Sequence, residues 1–392
     1  MKKHVILTSI ILFVTLLLPL TVFGEEGPDN DREQELNLAP DSRSAVLIER
    51  DTGKMLFDKN MHEKLPPASM TKVMTLLLIM EALDEEKITK DEMIRVSEQA
   101  ASMGGSQVFL ETGEEMSVND LLKAVAVASA NDASVALAER IAGSEKAFVE
   151  EMNNKAKALG LENTNFRNST GLPADDHYST AYDMAIMAKE LLKYESITDY
   201  TSIYDDYLRE GEEEEFWLVN TNKLVKSYPG ADGLKTGYTN EAKYCLTATG
   251  EKEGMRVIAV VMGAETTKER NANITKMFDY AFNHFETNNL YDNGETIASL
   301  EFLKAEEDSV NAVSSESIST IHRKGEQNNN ISTSVNLEDN VELPLSKGDK
   351  IGELVVKNND QLLTKTPLVA DHDVKKATYI TLLKRTMQKM VN

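Results

Sequence analysis

Apolar and polar positions divide the chain into regimes that name its elements before any chemistry is considered. Residues 5–23 are almost uninterruptedly apolar, and residues 25–42 are polar, acidic and without a period. The next stretch, "SAVLIERDTGKMLFDKN", holds two β-prone runs around Asp51-Thr52-Gly53-Lys54, the composition of a hairpin turn. From Val73 to Met80 the chain is apolar at every angle of a helical wheel except Thr75, which predicts a helix buried nearly all round at the centre of a domain. "SVNDLLKAVAVASANDASVALAERIAG" reads as two helices broken near Ser129-Ala130-Asn131, with Ser117 and Asp120 as a helix-start signal. A further helix is expected over Ala181 to Leu192 after Ser179-Thr180, and the acidic segment Tyr204 to Glu215 reads as a surface excursion.

Strands return with "GLKTGYT", "AKYCLTATG" and "MRVIAVVMGA", the last two joined by Glu251-Lys252-Glu253-Gly254. Ile274, Met277, Phe278, Ala281, Phe282 and Phe285 then follow helical spacing. The pattern predicts an α+β architecture: a late antiparallel sheet flanked by a terminal helix and an N-terminal hairpin, with an all-helical insertion between. After about Tyr291 short alternating runs and turn residues predict a small β-rich domain. The expected segments are 1–24 as a signal peptide, 25–42 as a disordered leader, 43–288 as the main domain, 289–374 as the β-rich domain and 375–392 as a separate tail.

Charge and cysteine content set the compartment. Lys2 and Lys3 precede the apolar run and Val22-Phe23-Gly24 offers small residues after it, the pattern of a secretory signal, with an uncleaved anchor as the alternative. The protein is therefore expected to be exported, in a bacterium, to the outer face of the cytoplasmic membrane or the cell-wall space. Cys245 is the only cysteine, so no intramolecular disulfide is possible. A formal net charge of −23 argues against nucleic acid as a partner, because phosphate binding needs clustered Lys and Arg. The tail departs from this acidity: Lys375, Lys376, Lys384, Arg385 and Lys389 accompany Tyr379, Leu382, Leu383, Met387, Met390 and Val391 at near-helical spacing. That combination suits a helix on an anionic membrane surface, the alternative being a helix packed on its own domain.

Three short strings carry the candidate chemistry: Ser69-Met70-Thr71-Lys72, Ser129-Ala130-Asn131 and Lys235-Thr236-Gly237. Residues three apart share a helix face, so Ser69 and Lys72 can meet. A serine is a usable nucleophile when a base takes its proton, and lysine is such a base only with a lowered pKa. Burial and a second cation, for which Lys235 is the candidate, would both lower it. Ser129 is then expected to relay a proton and Asn131 to hold a substrate amide. Lys235 and Thr236 would bind a substrate carboxylate, and Gly237 would leave room for an extended substrate along the strand. Backbone N–H groups of Ser69 and Tyr238 are the expected oxyanion donors.

These strings, with "GGSQVFLETGE", "GLENTNFRNSTGLP", "HYSTAYDMA" and "YPGADGLKTGYTNEAKYCL", resemble the serine D-alanyl-D-alanine carboxypeptidases, the low-molecular-mass penicillin-binding proteins of the S11 peptidase type, from about Ser44 to Phe285. The resemblance implies a β-lactamase/transpeptidase-like catalytic domain, removal of the terminal D-alanine from peptidoglycan stem pentapeptides through an acyl-enzyme on Ser69, and covalent capture by β-lactam antibiotics. It implies Lys72 as the acylation base, Ser129 and Lys235 in proton transfer, Asn131 orienting substrate, and neither metal nor cofactor. It also implies a C-terminal amphipathic helix as the membrane tether. Other readings are a D,D-endopeptidase, a β-lactamase, and a non-catalytic penicillin-binding sensor. The β-lactamase reading is weakened by "FRNSTGLP", residues 166–173, which lacks the carboxylate that activates water in class A enzymes, although Glu162, Asp175 and Asp176 lie close by. Tyr238 stands where the family often has histidine. His177 is expected to be structural, Cys245 an inert buried thiol, Trp217 a packing residue, and Glu212 to Glu215 a solvated turn rather than a divalent-ion site.

Overall fold

The computed structural model describes residues 36–382, apart from 303, 308, 327–329 and 339–340, together with residue 385. The signal and most of the leader, and Leu383, Lys384, Met387, Lys389, Met390 and Val391 of the tail, lie outside the described residues. Its first hairpin, β1 (Ser44–Glu49) and β2 (Met55–Lys59), precedes the helix α1 (Lys72–Asp84). The helices α2 (Asn131–Ala142) and α3 (Ala181–Leu191) follow, then β3 (Ala231–Thr239), β4 (Lys243–Lys252), β5 (Met255–Ala264) and α4 (Thr267–His284).

The five strands form one antiparallel sheet in the order β2-β1-β5-β4-β3. The hairpin therefore does not flank the sheet but extends it, β1 pairing with β5 from Ser44↔Met262 to Glu49↔Val257. The reason is that β1 is buried along its whole length and apolar on both faces. Val46 and Ile48, with Ile258, Val260 and Met262 of β5, face the helical core; Ala45 and Leu47, with Val257, Ala259 and Val261, face the core under α4. Alternation at period two thus feeds two cores from one sheet. On α4, Ile274, Met277, Phe278, Ala281 and Phe282 supply the buried stripe that the spacing predicts.

Helix α1 is buried at every position from Lys72 to Met80. Its neighbours start where capping side chains are available: Ser117 accepts from the Asp120 N–H, Thr180 from Asp183 and Thr266 from Glu269. The insertion between β2 and β3 is not all-helical. It carries two short ribbons, Met93–Arg95 with Glu115–Ser117 and Asp205–Leu208 with Phe216–Val219. The second is the acidic excursion, and its alternation buries Leu208 and Leu218 on one face. Trp217 lies on the other face, opposite Tyr207 and 56 % exposed, so it does not pack as the sequence led us to expect.

After α4 the chain continues directly into the strand Phe285–Tyr291, which pairs with Ile318–Arg323. A second five-stranded sheet follows, closing on Val310, Ala312, Ile351, Leu354, Val356 and Leu368. The two-stranded pair and the loop before it meet the first part, through Ser319 Oγ on Asp51 Oδ2 at 2.6 Å and Lys189 Nζ near Glu316 Oε2 at 3.3 Å. Among the described residues no helix is long and apolar enough to cross a membrane.

Candidate active site

The three strings meet at the edge strand β3. Before α1, residues Ala68–Thr71 wind as a tight 3-10 turn whose approach is set by glycine. A Cβ on Gly171 would stand 1.8 Å from the Ala68 carbonyl oxygen, so the loop after Phe166 lies against the turn only because that side chain is missing. The turn presents Ser69 beside Lys72, whose amine is fully buried. Lys72 Nζ lies 3.3 Å from Ser69 Oγ, 2.6 Å from Asn131 Oδ1 and 2.8 Å from the Thr170 carbonyl oxygen.

Burial first, and the charge of Lys235 second, hold the Lys72 pKa well below its ordinary value, with Asp132 opposing. The Asp132 carboxylate is itself engaged by the backbone N–H groups of Val108 and Leu110. A neutral Lys72 has two hydrogens and one lone pair. Asn131 Oδ1 and Thr170 O are closer to the amine than Ser69 Oγ, so the two hydrogens of a neutral amine would be spent on them.

Ser129 occupies the break between the helices. Residues 124–128 wind as a wider turn in which the Ser129 N–H donates to Ala124 O, and Ser129 takes a left-handed φ of 65°. Its hydroxyl oxygen is buried with no hydrogen-bond partner among the described residues. Asn131 is held by its own backbone N–H on Ser106 O and its Nδ2 on Gly104 O.

On β3, Lys235 is 1 % exposed and donates to the Thr236 carbonyl at 3.2 Å. Burial, then the charge of Arg270, bring its pKa down to about 7. Thr236 Oγ1 donates to Thr221 Oγ1 at 2.7 Å. Tyr238 is 51 % exposed, tilted against Tyr244 at 4.5 Å between centroids, with its hydroxyl on Asn240. At Gly237 the structure shows a close approach that the sequence reading had not named. A Cβ there would meet Pro67 O at 2.6 Å and Met70 N at 3.1 Å, so the missing side chain admits the turn that carries Ser69. Gly237→Ala is accordingly expected to push that turn off β3, lowering stability by about 1–3 kcal/mol, which thermal melts check.

Sequence reasoning missed Arg270, Thr170 and Thr221. Arg270 is 4 % exposed, donates among the described residues to Asn271 Oδ1, and has its pKa lowered to about 10 by burial. It begins the stripe Arg270-Ile274-Met277 on α4, and a cation on an apolar stripe was a legible signal. Thr170 acts through a carbonyl, which no residue identity announces. His177 sits behind the turn, Nε2 at 2.8 Å from Thr71 Oγ1. Cys245 is fully buried, and burial raises its thiol to about 11. Glu212 to Glu215 are exposed, and among the described residues no group of three or more His, Cys, Asp or Glu could hold a metal ion. A cleft of about 360 Å³ adjoins the turn, between Pro67, Ala68, Leu172 and Thr239.

The D-alanyl-D-alanine carboxypeptidase family model (Peptidase_S11) matches residues 31–266, and the model for the C-terminal domain of penicillin-binding protein 5 matches 285–376. The chain is 55 % identical to the D-alanyl-D-alanine carboxypeptidase DacF of Bacillus subtilis (strain 168), over 98 % of each chain. Penicillin-binding protein 5 of Haemophilus influenzae superposes with a TM-score of 0.65 at 32 % identity, covering 86 % of this chain and 98 % of that one. Penicillin-binding protein D2 of Listeria monocytogenes, solved in its ampicillin-bound form, superposes with a TM-score of 0.57 at 32 % identity, covering 63 % of this chain and all of that one. The α+β fold read from the sequence, a transpeptidase-like domain followed by a β-rich one, is the fold shared with penicillin-binding protein 5. The chain belongs to the peptidase S11 family of serine D-alanyl-D-alanine carboxypeptidases.

Proposed function

We propose that the Ser69-Lys72 pair carries out D,D-carboxypeptidase chemistry on peptidoglycan stem peptides ending in D-Ala-D-Ala. The observation that carries the reading is the buried Lys72 amine, in no salt bridge among the described residues and within reach of Ser69 Oγ. Its lone pair takes the Ser69 proton as Oγ attacks the carbonyl between the two D-alanines. The N–H groups of Ser69 and Tyr238 stabilise the oxyanion. Ser129 Oγ, with no hydrogen-bond partner among the described residues, hands a proton to the departing D-alanine amine and is resupplied from Lys72, which so returns to its neutral form. Water then hydrolyses the ester, with Lys72 again as base.

The terminal carboxylate is held by the Thr236 hydroxyl and by two buried cations, Lys235 and Arg270, which form no ion pair among the described residues. A carboxylate bound there offsets charges that otherwise repel. Asn131 Nδ2 and Oδ1 are engaged by Gly104 and Lys72, so Asn131 orients substrate from a fixed side chain. β-Lactams enter by the same route, their carboxylate and strained amide replacing the peptide terminus. The segment 166–173 brings carbonyls, not a carboxylate, to α1: Ser169 O accepts from Thr75 Oγ1 and Thr170 O from Lys72. That favours slow loss of a penicilloyl group over β-lactamase turnover. The test is D-alanine release from a peptide ending in D-Ala-D-Ala, present in the native protein and absent without the Ser69 hydroxyl.

We further propose that the protein works outside the cytoplasmic membrane, held there by its basic tail. In support, residues up to Ala377 are tied to the β-rich domain, Ala377 N–H donating to Lys304 O, whereas Tyr379 and Ile380 beyond them are 82 % and 66 % exposed. Arg385 donates to the carbonyls of Ala305 and Glu306 and so anchors the helix at the domain's edge. Removing residues 378–392 is expected to reduce co-sedimentation with anionic phospholipid vesicles about tenfold, with added salt weakening the native protein in the same sense. Unchanged sedimentation would overturn the tether.

A further inference from the structure

We propose that His177 is a positioning residue for proton transfer between Ser69 and Lys72, latching the loop 165–178 onto the nucleophile turn so that the Thr170 carbonyl stays on the Lys72 amine. The proposal rests on the Ser69-Lys72 reading above. The Arg167 N–H donates to His177 Nδ1 at 3.3 Å. With Nδ1 an acceptor, the ring hydrogen is on Nε2 and is donated to Thr71 Oγ1 at 2.8 Å. Thr71 immediately precedes Lys72, so one imidazole bridges the loop's backbone and the turn that carries both reacting groups. Burial and the neighbouring Arg167 charge bring the ring's pKa down to about 4, which keeps this acceptor-donor arrangement at neutral pH.

The same loop returns to α1 twice more, through Thr75 Oγ1 on Ser169 O at 2.6 Å and Lys72 Nζ on Thr170 O at 2.8 Å. Within the loop, Asn168 Oδ1 accepts from the N–H groups of Thr170 and Gly171 and fixes the peptide that presents the Thr170 carbonyl. A neutral amine holds its lone pair on Ser69 only while both hydrogens are occupied. Asn131 Oδ1 secures one, and Thr170 O, through the His177 latch, secures the other. If the latch opens, the freed hydrogen lets the amine rotate and water reach it.

The experiment measures acylation of the full chain by a fluorescent penicillin from about pH 5 to 10, for native protein, His177→Ala, His177→Gln and Thr71→Val. The Ala and Val variants are expected to acylate about 10- to 100-fold more slowly, with affinity before acylation unchanged. Their acid limb should move to higher pH, because water entering the site raises the Lys72 pKa towards its ordinary value while Lys235 and Asp132, the charged groups facing it, are unaltered. His177→Gln, whose amide N–H can reach Thr71, should recover most of the rate, and the double variant His177→Ala/Thr71→Val should be no slower than either single one. Variants that melt at lower temperature yet acylate at the native rate with the native acid limb would reduce His177 to a packing residue and overturn the proposal. If His177→Ala does not fold, Thr71→Val decides alone, since it leaves ring and loop in place. Failure of the native protein to label would instead refute the Ser69-Lys72 reading itself.

Discussion

Ser69→Ala protein is expected to release no D-alanine from a D-Ala-D-Ala peptide and to take up no covalent penicillin, while folding as the native chain does. The expected loss in turnover is about 10⁴-fold or more, since no other described hydroxyl shares its position. Only Ser69 Oγ lies 3.3 Å from the Lys72 amine; Ser129 is on another segment, held by a left-handed backbone. The substitution removes one oxygen from a turn whose shape is fixed by Gly171 and Gly237, so stability should change by less than about 1 kcal/mol. Mass spectrometry of the intact protein after penicillin treatment reads the adduct directly. An adduct retained at the same site in the variant would remove Ser69 from its role, and release that persists at the native rate would move the reaction elsewhere.

Lys235→Met is expected to act in opposite directions on activity and stability. Activity should fall about 10³-fold, mainly through weaker capture of substrates with a free terminal carboxylate and slower acylation, because the variant lacks a cation beside Thr236 and no longer helps to depress the Lys72 pKa. Stability should rise, since Lys235 is buried, has a single hydrogen bond to the adjacent carbonyl, and faces the Arg270 charge. Replacing such a cation by a hydrophobe of similar length is worth about 1–4 kcal/mol. The sign follows from linkage: the folded pKa of about 7 lies below the unfolded value of about 10.4, so the native chain carries its full handicap below pH 7 and sheds it as pH rises between the two. The gain in melting temperature should therefore be largest at or below pH 7 and vanish towards pH 10. A variant less stable than native at pH 6 would contradict the account of Lys235 as a strained functional cation.

The same pair of lysines predicts the direction of the pH–rate profile. Acylation needs Lys72 neutral, so it declines as pH falls through that group's depressed pKa. Substrate capture needs positive charge beside Thr236; as Lys235 neutralises above about 7 the charge passes to Arg270, which holds it to about 10. A bound carboxylate raises both cations' pKa values and carries capture to higher pH.

What the sequence determined by itself was whatever local geometry governs. β-Prone runs bounded by turn residues placed the strands, the helical stripe after Thr266 placed α4, and three-residue spacing put Ser69 and Lys72 on one face, because each depends on residues within one or two turns of chain. The all-round apolar run told that α1 is buried, though not by what. Tertiary structure decided the rest. Lys72 owes its desolvation and its acceptors to Asn131 and Thr170, 59 and 98 residues away, and no pattern in either segment encodes that meeting. The hairpin joined the sheet because both faces of β1 found apolar cover, and Trp217 stayed outside because the ribbon turned its other face inward. Gly237 shows the division most plainly: its identity marks a close approach, but only the packed chain says that the approaching group is the backbone of the nucleophile turn. A side chain's type is written locally, whereas its dielectric surroundings and partners are sums over segments that sequence keeps apart.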